Sequence, residues 1–392
     1  MNTSKPKVLI VSSMPYFQWR GSPIRLGFDL LALTELGYEV DLLTVPVGEN
    51  RATPGVTIHR VGNPFGAKEL PIGPSLHKLI FDVLILFRAL RLVRKQRYAV
   101  VHGIEDTGVI AWIAARFGGA AMIFEKHSDP ASYKGRPLRN VVMTLYRWVE
   151  HMVMRRADAI IGTGEGLCDQ ARAAAPGKPV FHIFDIPSSL VEPDEQRAAA
   201  IASRLRAKPD ELLVCYGGSF AIYQGIDLLF NCMPYVLDKH PQARFVIIGG
   251  TAEEIEARRV WLRNHGIDSH VTFLGKLPPD ELPHYLAAMD ILLSPRQAGI
   301  NSPLKLLDYL KVARPIVATD HQAHRMILDD TFAMLVEPTP PAFAEGISWL
   351  IADEDTRLRY SATGRRLIDE RYNFAEYKRR VSSVYTSVTS PE

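Results

Sequence analysis

The stretch Ile291–Asp320, ILLSPRQAGINSPLKLLDYLKVARPIVATD, holds the residue types that bind a phosphate and a polyol. An apolar run ends at Ser294-Pro295. A loop with Gly299, Asn301, Ser302 and Pro303 follows, and helical spacing starts at about Leu304. Where a loop enters a helix, unpaired backbone N–H groups and the positive end of the helix dipole suit a diphosphate or the anomeric face of a sugar. Lys305 falls in the first turn, where a cation opposes that dipole, and a bound phosphate would account for it. Asp308, one turn on, can accept two hydroxyl hydrogen bonds, as ribose requires; its bland alternative is a solvated helix carboxylate.

The elements that must position these residues come in two series. Near-continuous apolar runs at Lys7–Ser12, Glu39–Thr44, Ala99–His102, Ala121–Phe124 and Ala159–Ile161 predict strands buried on both faces. Helical periodicity fills the gaps, as in Arg25–Leu36, where Leu26, Leu30, Leu33 and Leu36 share a face before Gly37. Ile186–Asp194 (IPSSLVEPD) reads as a linker, and the pattern restarts at Leu212–Tyr216, Arg244–Ile248, Val271–Leu274, Ile291–Leu293 and Pro315–Ala318. Strand–helix alternation implies right-handed crossovers and a parallel sheet in each half. The expectation is an α/β protein of two facing Rossmann-like domains, residues 1–188 and 189–370. A helix in 371–392 is expected to pack back on the first domain. Ligands in such folds bind beyond the carboxyl ends of the strands, so a central cleft is expected between the domains.

In order and spacing the chain resembles the family 4 glycosyltransferases, retaining enzymes of the GT-B architecture. Lys7–Ser13 followed by Gly21, Glu125-Lys126-His127, Ala157–Ile161, Tyr216–Gly225, Phe273-Leu274-Gly275, the stretch above and Tyr372-Asn373-Phe374 carry the likeness. The resemblance implies transfer of a sugar, with retention, from a nucleoside diphosphate sugar to an acceptor hydroxyl in bacterial polysaccharide or glycolipid synthesis. It implies donor contacts at Gly21, Ser219, Gln224, Gly275, Asn301, Ser302, Pro303, Leu304 and Asp308. It also puts His127 near the transferred sugar or the acceptor; the alternative is a satisfied core or surface histidine. Gly21 has the alternative of an ordinary turn, and Asp129 reads as an Asx-turn residue.

Two departures matter. The family carries an acid eight positions before the ribose carboxylate, and here that position is Ile300. Where it carries Arg and Lys in the loop after the second domain's first strand, this chain has Ser219 and Gln224. Arg296 and Lys305 are the expected substitutes for that charge. Two rivals stand beside the transferase: a non-catalytic nucleotide-sugar-binding partner subunit, and a sugar-nucleotide epimerase of the same architecture, whose acid/base carboxylates are not found.

Composition narrows the partners. Three cysteines without short spacing argue against a disulfide framework or a zinc site, and no paired aspartates suggest a metal; no cofactor beyond the nucleotide-sugar substrate (UDP- or GDP-linked) is expected. No signal-type apolar segment follows MNTSKPK, so a cytoplasmic location is expected. Residues 1–190 carry 23 basic and 16 acidic side chains, +7, and the rest carry 23 and 27, −4. No basic stripe with interleaved aromatics appears, so nucleic acid is not expected. Leu76–Arg97 and Arg136–Arg156 mix apolar and basic residues without making a transmembrane span. Both read as amphipathic helices packed on the first sheet, with docking on the inner face of an anionic membrane, beside a lipid-linked acceptor, as the sharper alternative.

Overall fold

The computed structural model describes residues 5–16, 18, 21–48, 52–68, 70, 76–129, 137–299 and 303–389. The chain divides into two compact units: Met1–Asp185 with Phe374–Glu392, and Ile186–Asn373.

Unit 1 runs β1 (Lys7–Ser12), α1 (Gly21–Glu35), β2 (Glu39–Thr44), β3 (Val56–Arg60), α2 (Leu76–Lys95), β4 (Val100–Ile104), α3 (Gly108–Gly118), β5 (Ala121–Lys126), α4 (Pro137–Arg156), β6 (Ala159–Gly162), α5 (Glu165–Ala174) and β7 (Val180–His182). Its seven strands are all parallel, in the order β3-β2-β1-β4-β5-β6-β7. Central strands such as β4 (VVHGI) are buried along their whole length, which is why they read as apolar runs. β3 and β7 did not show in that pattern. Each lies at a sheet edge and none of its residues is fully buried, so neither needs a continuous apolar run.

Unit 2 runs α6 (Glu195–Leu205), β8 (Leu212–Gly217), α7 (Ile226–Lys239), β9 (Ala243–Ile248), α8 (Ala252–Asn264), β10 (Val271–Gly275), α9 (Leu282–Ala287), β11 (Ile291–Ser294), α10 (Lys305–Lys311), β12 (Ile316–Thr319), α11 (Gln322–Arg325), β13 (Met334–Val336), α12 (Pro340–Ala352) and α13 (Glu354–Glu370). Its six strands are also all parallel, ordered β10-β9-β8-β11-β12-β13. The order reverses between β8 and β11, so the loops leaving those two strands part at a crevice, the ligand position of doubly wound sheets.

The last helix, α14 (Phe374–Thr389), belongs to unit 1. Its buried Tyr377, Val381, Val384 and Tyr385 follow the i, i+4, i+7, i+8 spacing of one helix face. That face packs on α1. Tyr377 Oη donates to Asp29 at 2.5 Å, and Tyr385 Oη lies 2.8 Å from His102 Nδ1.

Candidate active site

At the β8–β11 reversal the loops leaving the two strands meet by close backbone contact. The loop after β8 ends at Gly225, the N-cap of α7, in the left-handed region at φ 72°. A β carbon there would overlap the Pro295 carbonyl, so only glycine lets the two loops touch. The Gln297 N–H donates to the Tyr223 carbonyl at 3.0 Å and stitches them further. Tyr216, at the end of β8, donates its hydroxyl to the Ser219 carbonyl at 2.7 Å and holds the first part of the loop.

Arg296 lies buried in this seam. Its Nε donates to Ala298 O at 2.7 Å, and its guanidinium sits 5.4 Å from the centre of the Tyr223 ring. Lys305 enters from α10. Its ammonium lies 4.4 Å from the centre of the Tyr216 ring, cut off from solvent and without a hydrogen-bond partner among the described residues. Burial, reinforced by the Arg296 charge, pushes the Lys305 amine down to about 7. Gln224 Oε1 is likewise buried, with no hydrogen-bond donor among the described residues. His324, on α11, completes the group. Its Nδ1 donates to Thr319 O at 2.7 Å and its Nε2 lies 2.9 Å from the Ser294 hydroxyl. Burial, with Lys305 and Arg296 adding to it, pushes its pKa down to about 4 and keeps the ring neutral. Arg296, Lys305 and His324 thus form one electrostatically linked group.

Asp308 faces elsewhere. Both its oxygens accept from Ser188: the backbone N–H at 2.6 Å and the hydroxyl at 2.9 Å to each oxygen. Burial raises its pKa to about 6 in spite of those bonds. The neighbouring Lys311 donates to Ser189 O and Val191 O, both at 2.8 Å, so α10 grips the 186–194 segment with two side chains. Helix α10 therefore presents Lys305 to the loop seam and Asp308 to the linker.

Of the other anticipated donor contacts, Ser219 is exposed in the loop after β8. Gly275 ends β10 at φ 67°, its carbonyl accepting from Gly249 N at 2.6 Å. Pro303 is buried, Leu304 half-buried, and Asn301 and Ser302 lie outside the described residues. Gly21 opens α1 in unit 1. A β carbon there would meet nothing within 4 Å, so the chain itself does not demand glycine.

His127 follows β5 in unit 1 and is tied inward. Its Nε2 lies 2.8 Å from Oε1 of Glu125, a fully buried carboxylate that also takes Arg25 Nε at 2.5 Å. His102 Nε2 stands 3.0 Å from the other oxygen as a charge contact without hydrogen-bond alignment. Burial opposes charge on His127, but Glu125 outweighs it and holds the imidazole above its ordinary range. Burial also works against the Glu125 carboxylate, and Arg25 and His127 overcome it, holding its pKa well below the usual. Glu105, after β4, sits at φ 53°, rare for a non-glycine. It accepts from the His127 N–H and, at 2.9 Å, from the Ser128 hydroxyl, so backbone strain is spent on fixing this corner. Asp129 accepts from Gln170 at 3.0 Å.

Sequence reasoning missed Ser188, His324 and Tyr216. The last two stand at or just past strand ends, which is the signal that could have found them. Among the described residues no group of three or more His, Cys, Asp or Glu side chains is placed to hold a metal ion.

The family follows from both halves. Residues 30–181 match the glycosyl transferase 4-like domain, and residues 211–353 match glycosyl transferases group 1. The chain belongs to the family 4 glycosyltransferases, and its two parallel-sheet units are the Rossmann-like pair of the GT-B fold. Among relatives, the putative glycosyltransferase YtcC of Bacillus subtilis is 24% identical over 209 residues, 50% of this chain and 51% of that protein. The GDP-mannose-dependent alpha-(1-6)-phosphatidylinositol monomannoside mannosyltransferase of Mycobacterium tuberculosis is 23% identical over 301 residues, 72% of this chain and 76% of that protein. The chain thus spans about half the length of the Bacillus relative. In structure it is similar to sucrose-phosphate synthase from Thermosynechococcus elongatus, with TM-score 0.77 at 18% identity over 98% of this chain and 99% of that one.

Proposed function

We propose that the loop seam of unit 2 holds the diphosphate of a nucleoside diphosphate sugar, and that the chain transfers the sugar with retention to a hydroxyl of a lipid-linked saccharide. The observation that carries this is the Lys305 ammonium, buried beside Arg296 with no hydrogen-bond partner among the described residues. An unpaired buried amine is costly unless an anion completes it. A sugar leaving from its diphosphate puts growing negative charge there, and buried cations stabilise that charge more than they would in water. Arg296 and Lys305 so stand in for the cations that Ser219 and Gln224 do not provide. Gln224 donates its amide to the donor, and Asp308 takes the ribose hydroxyls in exchange for Ser188. His127 meets the transferred sugar or the acceptor. Attack comes on the face the leaving group departs from, and the departing phosphate takes the acceptor proton.

The relatives' names favour a donor linked to a nucleoside diphosphate and an acceptor carried on lipid, since one acts from GDP-mannose on a phosphatidylinositol mannoside. One feature favours a second reading, a non-catalytic partner that binds nucleotide sugar: the replacement of two loop cations by Ser219 and Gln224.

The test begins with thermal shifts against UDP, GDP, ADP and their sugars, because a ligand at 100 times its dissociation constant stabilises by about 2.7 kcal/mol. Release of nucleoside diphosphate is then followed with and without lipid-linked saccharide. Acceptor-stimulated release marks the transferase. Binding without release marks the partner subunit. No shift with any nucleotide sinks the donor site.

A further inference from the structure

The solvent side of unit 1 carries a surface that the donor site leaves unused. In α2, Leu79, Val83 and Phe87 recur every fourth residue and stand outward, Leu79 at 60% and Phe87 at 66% exposure. The same ridge runs on into exposed Arg91 and Lys95, with Arg94 and, just past the helix, Arg97 beside it. Helix α3 packs against both α2 and α4, so the three form one layer. Phe117 and Arg116 extend the pattern on α3. On α4, Trp148 is 65% exposed, with Leu145 and Arg147 next to it.

The charge on this layer has one sign. Among the described residues of α2, α3 and α4, every exposed charged side chain is basic. The acidic side chains there are withdrawn: Glu150 is buried against Lys126 at 2.6 Å, and burial raises the half-buried Asp82 carboxyl to about 6. An apolar ridge facing water is unfavourable, and a run of unopposed cations beside it repels another such face. A second copy meeting this surface through a two-fold axis would set cation against cation. An anionic bilayer answers both features. Apolar side chains sink to the acyl boundary while Arg and Lys meet headgroup phosphates. No helix among the described residues is long and apolar enough to cross a membrane, so the contact lies in the plane.

We propose that the exposed face of α2, with Phe117 of α3 and Leu145 and Trp148 of α4, docks unit 1 on an anionic lipid surface. Leu79, Val83 and Phe87 enter the interface, and Arg91, Arg94, Lys95 and Arg97 lie on the headgroups. Docking of this kind is reversible and sensitive to salt.

The test is sedimentation of the full chain with vesicles of phosphatidylglycerol and phosphatidylcholine, or of phosphatidylcholine alone, at low salt and at roughly 1 M, where the screening length falls to about 3 Å. The wild-type chain is expected to pellet with the anionic vesicles at low salt and to be released by high salt. Changing Arg91, Arg94, Lys95 and Arg97 together to Gln lowers the partition by more than about a hundredfold, since each cation contributes about fivefold. Leu79→Gln, Val83→Gln and Phe87→Gln together lower it as well, and the loss persists across salt. Trp148 fluorescence shifts to the blue on the wild-type vesicles alone. Both variants keep the thermal midpoint of the parent, since every changed side chain is exposed. Recovery of the wild type in the supernatant under all conditions overturns the proposal. So does pelleting that neither variant changes, or a fall from dimer to monomer in the apolar variant, which would assign the ridge to a second copy. No donor or acceptor enters the assay, so its failure leaves the donor reading standing.

Discussion

Each unit buries charge close to its sheet, but the two do so differently. In unit 1, Glu125 is completely enclosed; its Oε1 meets both Arg25 and His127, and its Oε2 has His102 in charge contact. Arg25 reaches on to Asp185 at 3.1 Å, and Tyr377 and Tyr385 bring α14 into the same knot through Asp29 and His102. In unit 2, among the described residues, the Lys305 ammonium meets the face of the Tyr216 ring and no hydrogen-bond acceptor, and Gln224 Oε1 meets no donor. Paired buried charges hold elements in register, and breaking one strands the other. An unpaired one is a standing cost, tolerated where a ligand completes it. In the first arrangement charges face countercharges, with single atoms such as Arg25 Nη2 and Asp29 Oδ2 left over; in the second the Lys305 charge faces another cation, Arg296.

The largest expected effect breaks the first arrangement. Glu125→Gln removes the charge that Arg25 and His127 both face and is expected to destabilise unit 1 by about 3–5 kcal/mol. Hydrogen exchange of the β4 and β5 amides reads that loss in unit 1 itself. A loss under about 1 kcal/mol would mean the knot is no more than a set of surface-strength pairs.

Lys305→Met tests the other side, and there the two effects have opposite signs. Removing an orphaned buried amine is expected to stabilise the free protein by about 1–3 kcal/mol, while turnover falls by about 10²–10³-fold. The pH dependence sharpens it. With its folded pKa depressed to about 7, Lys305 is protonated in the unfolded chain and not in the folded one between pH 7 and its ordinary value. Stability therefore rises with pH across that window. A diphosphate gives the ammonium its partner and raises the pKa again, so binding takes up a proton above pH 7. Affinity for UDP or GDP is then expected to fall by up to about tenfold per pH unit above 7, and to be flat there in Lys305→Met. Calorimetry in buffers of different ionisation enthalpy counts the proton directly; no uptake would separate Lys305 from the phosphate.

Much of this is legible in the amino-acid sequence. The central strands announced themselves as apolar runs because a parallel strand is covered on both faces. Edge strands β3, β7 and β13 did not, since one neighbour and partial burial ask little of their side chains. Lys305 was legible from the loop-to-helix entry and Arg296 from the strand end before it, and their charges lie close enough to act on each other; Gln224 came only from the resemblance. The Ser188–Asp308 tie was not, because it joins residues 120 positions apart and neither carries a local pattern that names the other. The Glu125 knot left one trace, a carboxylate closing the apolar run AMIFEK; its partner Arg25 comes from a helix far away in sequence, as does Tyr385, which holds the neighbouring His102.

The smallest effect bears on what that Ser188–Asp308 tie is for. As the ribose carboxylate, Asp308 must release Ser188 before a nucleotide binds, and the lost hydroxyl bonds set against the gained ones weaken affinity. Ser188→Ala removes the hydroxyl and leaves the backbone N–H at 2.6 Å in place. At about 0.5–1.5 kcal/mol for such a bond, nucleoside diphosphate binding should tighten by about two- to tenfold. Asp308→Ala, by contrast, should weaken it by about ten- to a hundredfold, since it removes the acceptor of two ribose hydroxyls at once. If Asp308 only anchors the 186–194 segment, Ser188→Ala instead lowers the unfolding midpoint and leaves UDP and GDP affinity untouched. The two outcomes differ in the sign and the place of the effect, so one titration and one melt on each variant decide whether helix α10 serves the nucleotide with both of its charged faces or with Lys305 alone.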